Sequence, residues 1–182
     1  SGAVGSALGG GMVKLGAGTM KLSGAAPNTF LGTTTVNEGV LLLNKAPGAG
    51  DAIAHDLVIG DGTGGAGFDI VRLLEFNQIN DGSNVTIASS GRLDLYDFSD
   101  TISTLTMTSG SVTTGVGTLT LGGKVTTNAH ASSSATISGN VNLGAPDREF
   151  CVADGGVAVD LDLSAVLSGG GLVKSGPGTL KF

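Results

Sequence analysis

Three groups of residues in this 182-residue sequence carry side chains and spacings that could do chemistry. The stretch Gly64-Gly65-Ala66-Gly67-Phe68-Asp69-Ile70-Val71-Arg72 fits the nonapeptide pattern G-G-x-G-x-D-x-U-x of calcium-binding β-rolls. In such rolls each calcium lies between successive turns and takes its oxygen shell from carbonyls and aspartates, so tandem copies are required. Asp69 is the candidate ligand. Nine residues before it stands Gly60 and nine after it Gln78, so no tandem copy follows. The stretch then reads as a glycine-rich loop feeding the strand Ile70-Val71-Arg72-Leu73-Leu74.

The second group is carboxylate pairs of the kind that polysaccharide lyases and hydrolases use. Asp94, Asp97 and Asp100 lie in Leu93-Asp94-Leu95-Tyr96-Asp97-Phe98-Ser99-Asp100, and Asp160 and Asp162 flank Leu161. Alternation with apolar residues places these aspartates on an outer face or at corners, in solvent. The third group is single nucleophiles and metal ligands. His55 and His130 are far apart and neither has a second His or Cys at ligand spacing. Cys151, between Phe150 and Val152, reads as a small hydrophobe packed inside, and as the only cysteine it excludes an internal disulfide. No Gly-x-Ser-x-Gly elbow occurs, and Gly9-Gly10-Gly11 is followed by no predicted helix that could cradle phosphate. Neither a catalytic residue nor a cofactor is expected.

The elements that would hold these residues are short strands. Period-two alternation recurs in Thr19-Met20-Lys21-Leu22, Asn84-Val85-Thr86-Ile87, Gly91-Arg92-Leu93-Asp94-Leu95, Gly117-Thr118-Leu119-Thr120-Leu121, Asn140-Val141-Asn142-Leu143 and Val159-Asp160-Leu161-Asp162-Leu163. No window of helical length shows the i, i+3, i+4, i+7 pattern. Comparable strand starts at Gly18, Gly39 and Gly60, and again at Gly91 and Gly110, are 21, 21 and 19 residues apart (39 − 18, 60 − 39, 110 − 91). That path length suits one solenoid turn of three short strands with their corners. The expectation is an all-β chain, a right-handed single-stranded parallel β-helix of about eight or nine turns, with Leu, Val and Ile inside and Thr and Ser outside.

Composition agrees. Glycine reaches 33 residues, aromatics only 4%, and Trp is absent, which suits sharp corners around a thin aliphatic core. Net charge −6 without basic clusters argues against nucleic acid as a partner. No stretch approaches the roughly 20 apolar residues of a membrane span, and Ser1-Gly2-Ala3-Val4-Gly5 lacks signal-peptide character, so membrane insertion by this segment is not expected. Asn84-Val85-Thr86 fits a glycosylation acceptor.

A longer repeat overlies the strands. The run from Gly9 to Leu22, GGGMVKLGAGTMKL, recurs from Gly169 to Phe182 as GGGLVKSGPGTLKF, with nine of fourteen positions identical at an offset of 160 (169 − 9). Residues 1–182 therefore read as one β-helical segment, with a 160-residue unit over 9–168 and the start of the next over 169–182. The run Gly-Leu-Val-Lys-x-Gly-x-Gly-Thr-Leu, with Asn28-Thr29-Phe30-x-Gly32-Thr33-Thr34-Thr35-Val36-Asn37-x-Gly39-x-Leu41-Leu42-Leu43, resembles the autotransporter-associated β-strand repeat. It spans Gly10 to Leu43 and begins again at Gly170.

The resemblance implies a large exported bacterial protein, extracellular or at the cell surface, associated with the outer membrane through regions outside this segment. It implies a stalk, fibre or matrix role, with neighbouring units or copies of the chain as end-to-end partners. An adhesin binding host or matrix glycans or proteins is the alternative, weakened by few aromatics. A polysaccharide lyase or hydrolase ranks last.

Overall fold

The computed structural model describes residues 10–182. Two of the readings above, at Ser1–Gly5 and at Gly9, lie outside the described residues. Among the described residues every element is a strand, and every strand pairing is parallel.

The strands form two sheets of a β-solenoid with about eight turns. The first sheet stacks β1 (Met12–Lys14), β3 (Thr34–Val36), β5 (Leu57–Ile59), β7 (Val85–Ile87), β10 (Leu105–Met107), β12 (Val125–Thr127), β14 (Arg148–Val152) and β16 (Leu172–Ser175). The second stacks β2 (Thr19–Gly24), β4 (Val40–Lys45), β6 (Asp69–Leu73), β8 (Gly91–Asp94), β11 (Ser111–Leu121), β13 (Ala135–Asn142), β15 (Leu161–Ser168) and β17 (Leu180–Lys181). The third side of each turn is only partly strand. It comprises β9 (Asp100–Ile102), which pairs with the end of β11, the second halves of β13 and β15, and a lone bridge between Ile53 and Ile79.

Alternation settles what faces inward. In the second sheet Leu41, Val71, Leu93, Val112, Ile137 and Leu163 stack as one fully buried column, each the pairing partner of the next. Burying each such side chain contributes about 1.5–3 kcal/mol. The outward column of the first sheet reads Thr35, Val58, Thr86, Thr106, Thr126, Cys151, Ser175. Cys151 therefore points outward and is half-buried, contrary to the expectation of an internal thiol. The residues facing in beside it are Phe150 and Val152.

The 21 residues from Gly39 to Gly60 do not make one turn. The register pairs Thr19 with Val40, Val40 with Ile70, Asp69 with Gly91, and Arg92 with Ser111. The corner column is thus Gly18, Gly39, Asp69, Gly91, Gly110. Gly60 is not in it; it leaves the end of β5 in the other sheet, and its amide bonds to Val36 O. The loop from Asp61 to Phe68 lengthens that turn to 30 residues (69 − 39). Glycine is required at Gly39 and Gly91 because rungs touch there: a Cβ on Gly39 would sit 2.6 Å from Gly18 O, and one on Gly91 would overlap Ile59 O.

Candidate functional site

The nonapeptide loop delivers Asp69 to the start of β6, where the strand's alternation turns it inward. It is fully buried, and neither carboxylate oxygen has a hydrogen-bond partner. Burial raises its pKa, the negative charges of Asp61 and Glu38 push it further, and the nearby Ser90 hydroxyl opposes them. Asp61 is committed locally, accepting from Thr63 N at 2.8 Å and Thr63 Oγ1 at 2.6 Å. A hollow of about 260 Å³ lies beside Glu38, Asp61 and Phe68. Among the described residues no three His, Cys, Asp or Glu side chains gather where they could hold a metal ion.

The aspartates expected in solvent divide. Asp97 is exposed and accepts Val116 N at 2.9 Å, and Asp162 is half-buried with Lys181 Nζ at 2.7 Å. Asp94, Asp100 and Asp160 are buried, which corrects the expectation for these three. The reason is their position at strand ends or corners, where a short carboxylate can reach donors from the adjacent rung. Asp94 Oδ2 takes Arg72 Nε at 2.9 Å and Arg92 at 3.3 Å, while its Oδ1 takes Tyr96 N and Thr113 Oγ1. The Arg72 guanidinium lies 4.8 Å from the centre of the Tyr96 ring. Asp100 accepts Gln78 N, Ile79 N and Thr101 N. Burial outweighs those bonds and its pKa is pushed up to about 7. Asp160 accepts Gly155 N at 2.7 Å and Thr179 N at 2.8 Å. The structure thus brings no two of these carboxylates together around an open cleft. Each bridges rungs.

His55 is exposed, and His130 Nδ1 pairs with Ser133 in a local turn. The Asn84 side chain is exposed but engaged by Asp56 and Thr104. Aromatic rings are more exposed than their scarcity suggests. Phe68, Phe76 and Tyr96 stand out from the surface, with Phe76 set edge-to-face on Phe98 at 5.1 Å. Phe76 also borders a hollow of about 450 Å³ that Asp51, Glu75 and Asn77 line.

The sequence reading passed over the lysine of the duplicated run. Lys14 is the last residue of β1, and its ammonium donates to Gly16 O at 2.6 Å, Leu15 O at 3.5 Å and, from the next rung, Glu38 O at 2.7 Å. Only 5% of it remains exposed. Lys174, its counterpart, makes the first two bonds, to Gly176 O at 2.8 Å and Ser175 O at 3.4 Å. The signal was present as an identical Lys at both ends of the offset.

The comparisons with known proteins bear on the same stretch. No curated protein and no solved structure matches the chain. Residues 12–43, from β1 to within β4, match the family model described as passenger-associated-transport-repeat. The chain carries that repeat on a parallel β-solenoid, consistent with an autotransporter passenger-like β-helix.

Proposed function

We propose that this chain is a structural display segment of an exported surface protein, part of a stalk, fibre or matrix layer that stacks end to end with like units. The repeat and the solenoid together support a secreted or surface repeat module and fit a non-enzymatic role. The observation carrying the finer reading is that the buried Asp94, Asp100 and Asp160 are all spent on joining rungs. A protein that commits these three buried carboxylates to holding its own coil together is built for mechanical continuity. Electron microscopy of the purified chain at high concentration tests this: rods or filaments, with and without calcium, are expected. A monodisperse short particle at every concentration in light scattering contradicts end-to-end assembly of free chains.

The exposed rings favour a second reading, adhesion. Phe76 beside Glu75 and Asp51 offers a ring face with hydrogen-bonding neighbours, the combination that binds a sugar. Glycan-array binding lost on Phe76→Ala supports it, and an empty array removes it.

A further inference from the structure

We propose that the edge presented by β16 and β17 is the receiving surface for a further 160-residue unit of this same sequence. The unit enters with a rung equivalent to Thr34–Lys45, and Lys174 is the staple that closes the joint. The proposal rests on the array reading above and specifies how its units meet.

The two copies of the repeated run occupy matching places. β1 and β16 both belong to the first sheet, β2 and β17 to the second, and seven rung-to-rung steps (8 − 1) separate β1 from β16. Following the pairing column from Met12 through Thr34, Leu57, Val85, Leu105, Val125 and Phe150 leads to Lys174, 162 residues on (174 − 12). The sequence repeat brings Lys14 to the same residue after 160 (174 − 14). One unit is therefore seven rungs plus a slide of two residues along the strand. Two is even, so a side chain facing in at one end faces in again at the other; a slide of one would turn the motif inside out.

The lower half of such a joint is already formed. The 170–182 run sits on the preceding rung through Lys181 to Asp162 at 2.7 Å, Thr179 N to Asp160 at 2.8 Å and Gly171 N to Asp147 at 2.9 Å. Two positions that the next rung covers over residues 10–22 lie open in the 170–182 run. Leu22 pairs with Leu43 and is 4% exposed, whereas its counterpart Phe182 is 69% exposed. Lys14 reaches Glu38 O above it and is buried, whereas Lys174 is exposed. Val13 and Val173 face outward, and both are exposed. What covers the stacking edge over residues 10–22 is the segment 34–45 of this sequence.

The test extends the full chain by appending a second copy of residues 23–182 after Phe182. Small-angle scattering is expected to show one rigid rod lengthened by about 34 Å, seven rungs at about 4.8 Å, with strand content by circular dichroism rising in proportion. Lys174→Ala is expected to leave the melting temperature of the 182-residue chain within about 2 °C. In the extended chain it should lower melting as much as Lys14→Ala does. Phe182→Asp should likewise be silent in the short chain and disruptive in the long one. Two bodies on a flexible link, an appended unit that stays unfolded, or a Lys174→Ala variant silent in the extended chain would overturn the joint. None of these outcomes bears on surface display or glycan binding, which the microscopy and array experiments decide separately.

Discussion

The corner between the second sheet and the third side of the solenoid is closed in two ways. In the later turns the backbone does it. β13 and β15 pair without a break across eight positions, from Ala135 with Leu161 to Asn142 with Ser168, and bend together around the corner. In the earlier turns the strands stop and side chains take over. Gln78 accepts Lys45 N at 2.6 Å and donates to Phe76 O at 3.0 Å, Asp100 receives Gln78 N and Ile79 N, and Asn28 Nδ2 reaches Ala52 O at 2.8 Å. Buried backbone groups must find partners, and where the ladder lapses a buried amide or carboxylate replaces it. The earlier corner should therefore fail by single side-chain changes, the later one by backbone strain.

Asp100→Ala is the sharpest way to break the earlier corner. It strands the amides of Gln78, Ile79 and Thr101, each about 1–3 kcal/mol when left buried and unpaired, so a loss of about 3–5 kcal/mol is expected in urea unfolding. Acidity probes the same residue without mutation. A carboxyl raised from 3.8 to about 7 binds its proton more tightly folded than unfolded. Its contribution is then fully present below pH ~4 and lost as pH climbs to about 7, on the order of 2–4 kcal/mol. Thermal melts from pH 4 to 8 should fall across that window in the native chain and fall less in Asp100→Asn, where Asp69 is the raised carboxyl that remains. A native profile with no fall would show that the three amides outweigh burial.

At the later corner Gly139 has φ +98, and a Cβ there would overlap Thr114 Oγ1, the group that accepts Asn140 N at 2.7 Å. Gly139→Ala should cost about 1–3 kcal/mol by urea unfolding. The same change at Gly18, which has open space around it, should cost far less. Equal losses at the two sites would mean that contact at the later corner is not what constrains it.

This contrast marks what the sequence could reveal. Inward columns and the all-strand character of the described residues were legible because apolar residues alternate wherever a sheet is regular, as in Val85-Thr86-Ile87. The family resemblance was legible because its run includes residues that join rungs: Gly39 has no room for a Cβ, and Lys14 ties its own rung to the next. The buried Asp94, Asp100 and Asp160 were not, since alternation predicts a face but not the donors waiting across the next rung. Turn length also misled at Gly60, where a loop inserted at a corner preserves a plausible spacing while shifting the column to Asp69. Cys151 followed the alternation of its own strand, with Phe150 and Val152 inside, and was misjudged by its neighbours' character rather than its parity.

The smallest expected effect separates the two carboxylates that burial raises. Asp100 has three amides to satisfy it, and Asp69 has no hydrogen-bond partner and stands near Asp61 and Glu38. Neutralising Asp69 removes a burial cost without stranding a donor, so Asp69→Asn should stabilise the chain slightly at pH 8. The gain should vanish at acid pH, where the native residue is itself protonated. Calcium supplies the counter-test. A lone nonapeptide with no tandem copy offers too few oxygens for an ion that takes six to eight, so millimolar calcium should leave the melting temperature of the native chain unchanged. A rise with calcium that Asp69→Asn abolishes would instead make the Gly64–Arg72 loop a metal site, with Asp69 as its buried ligand.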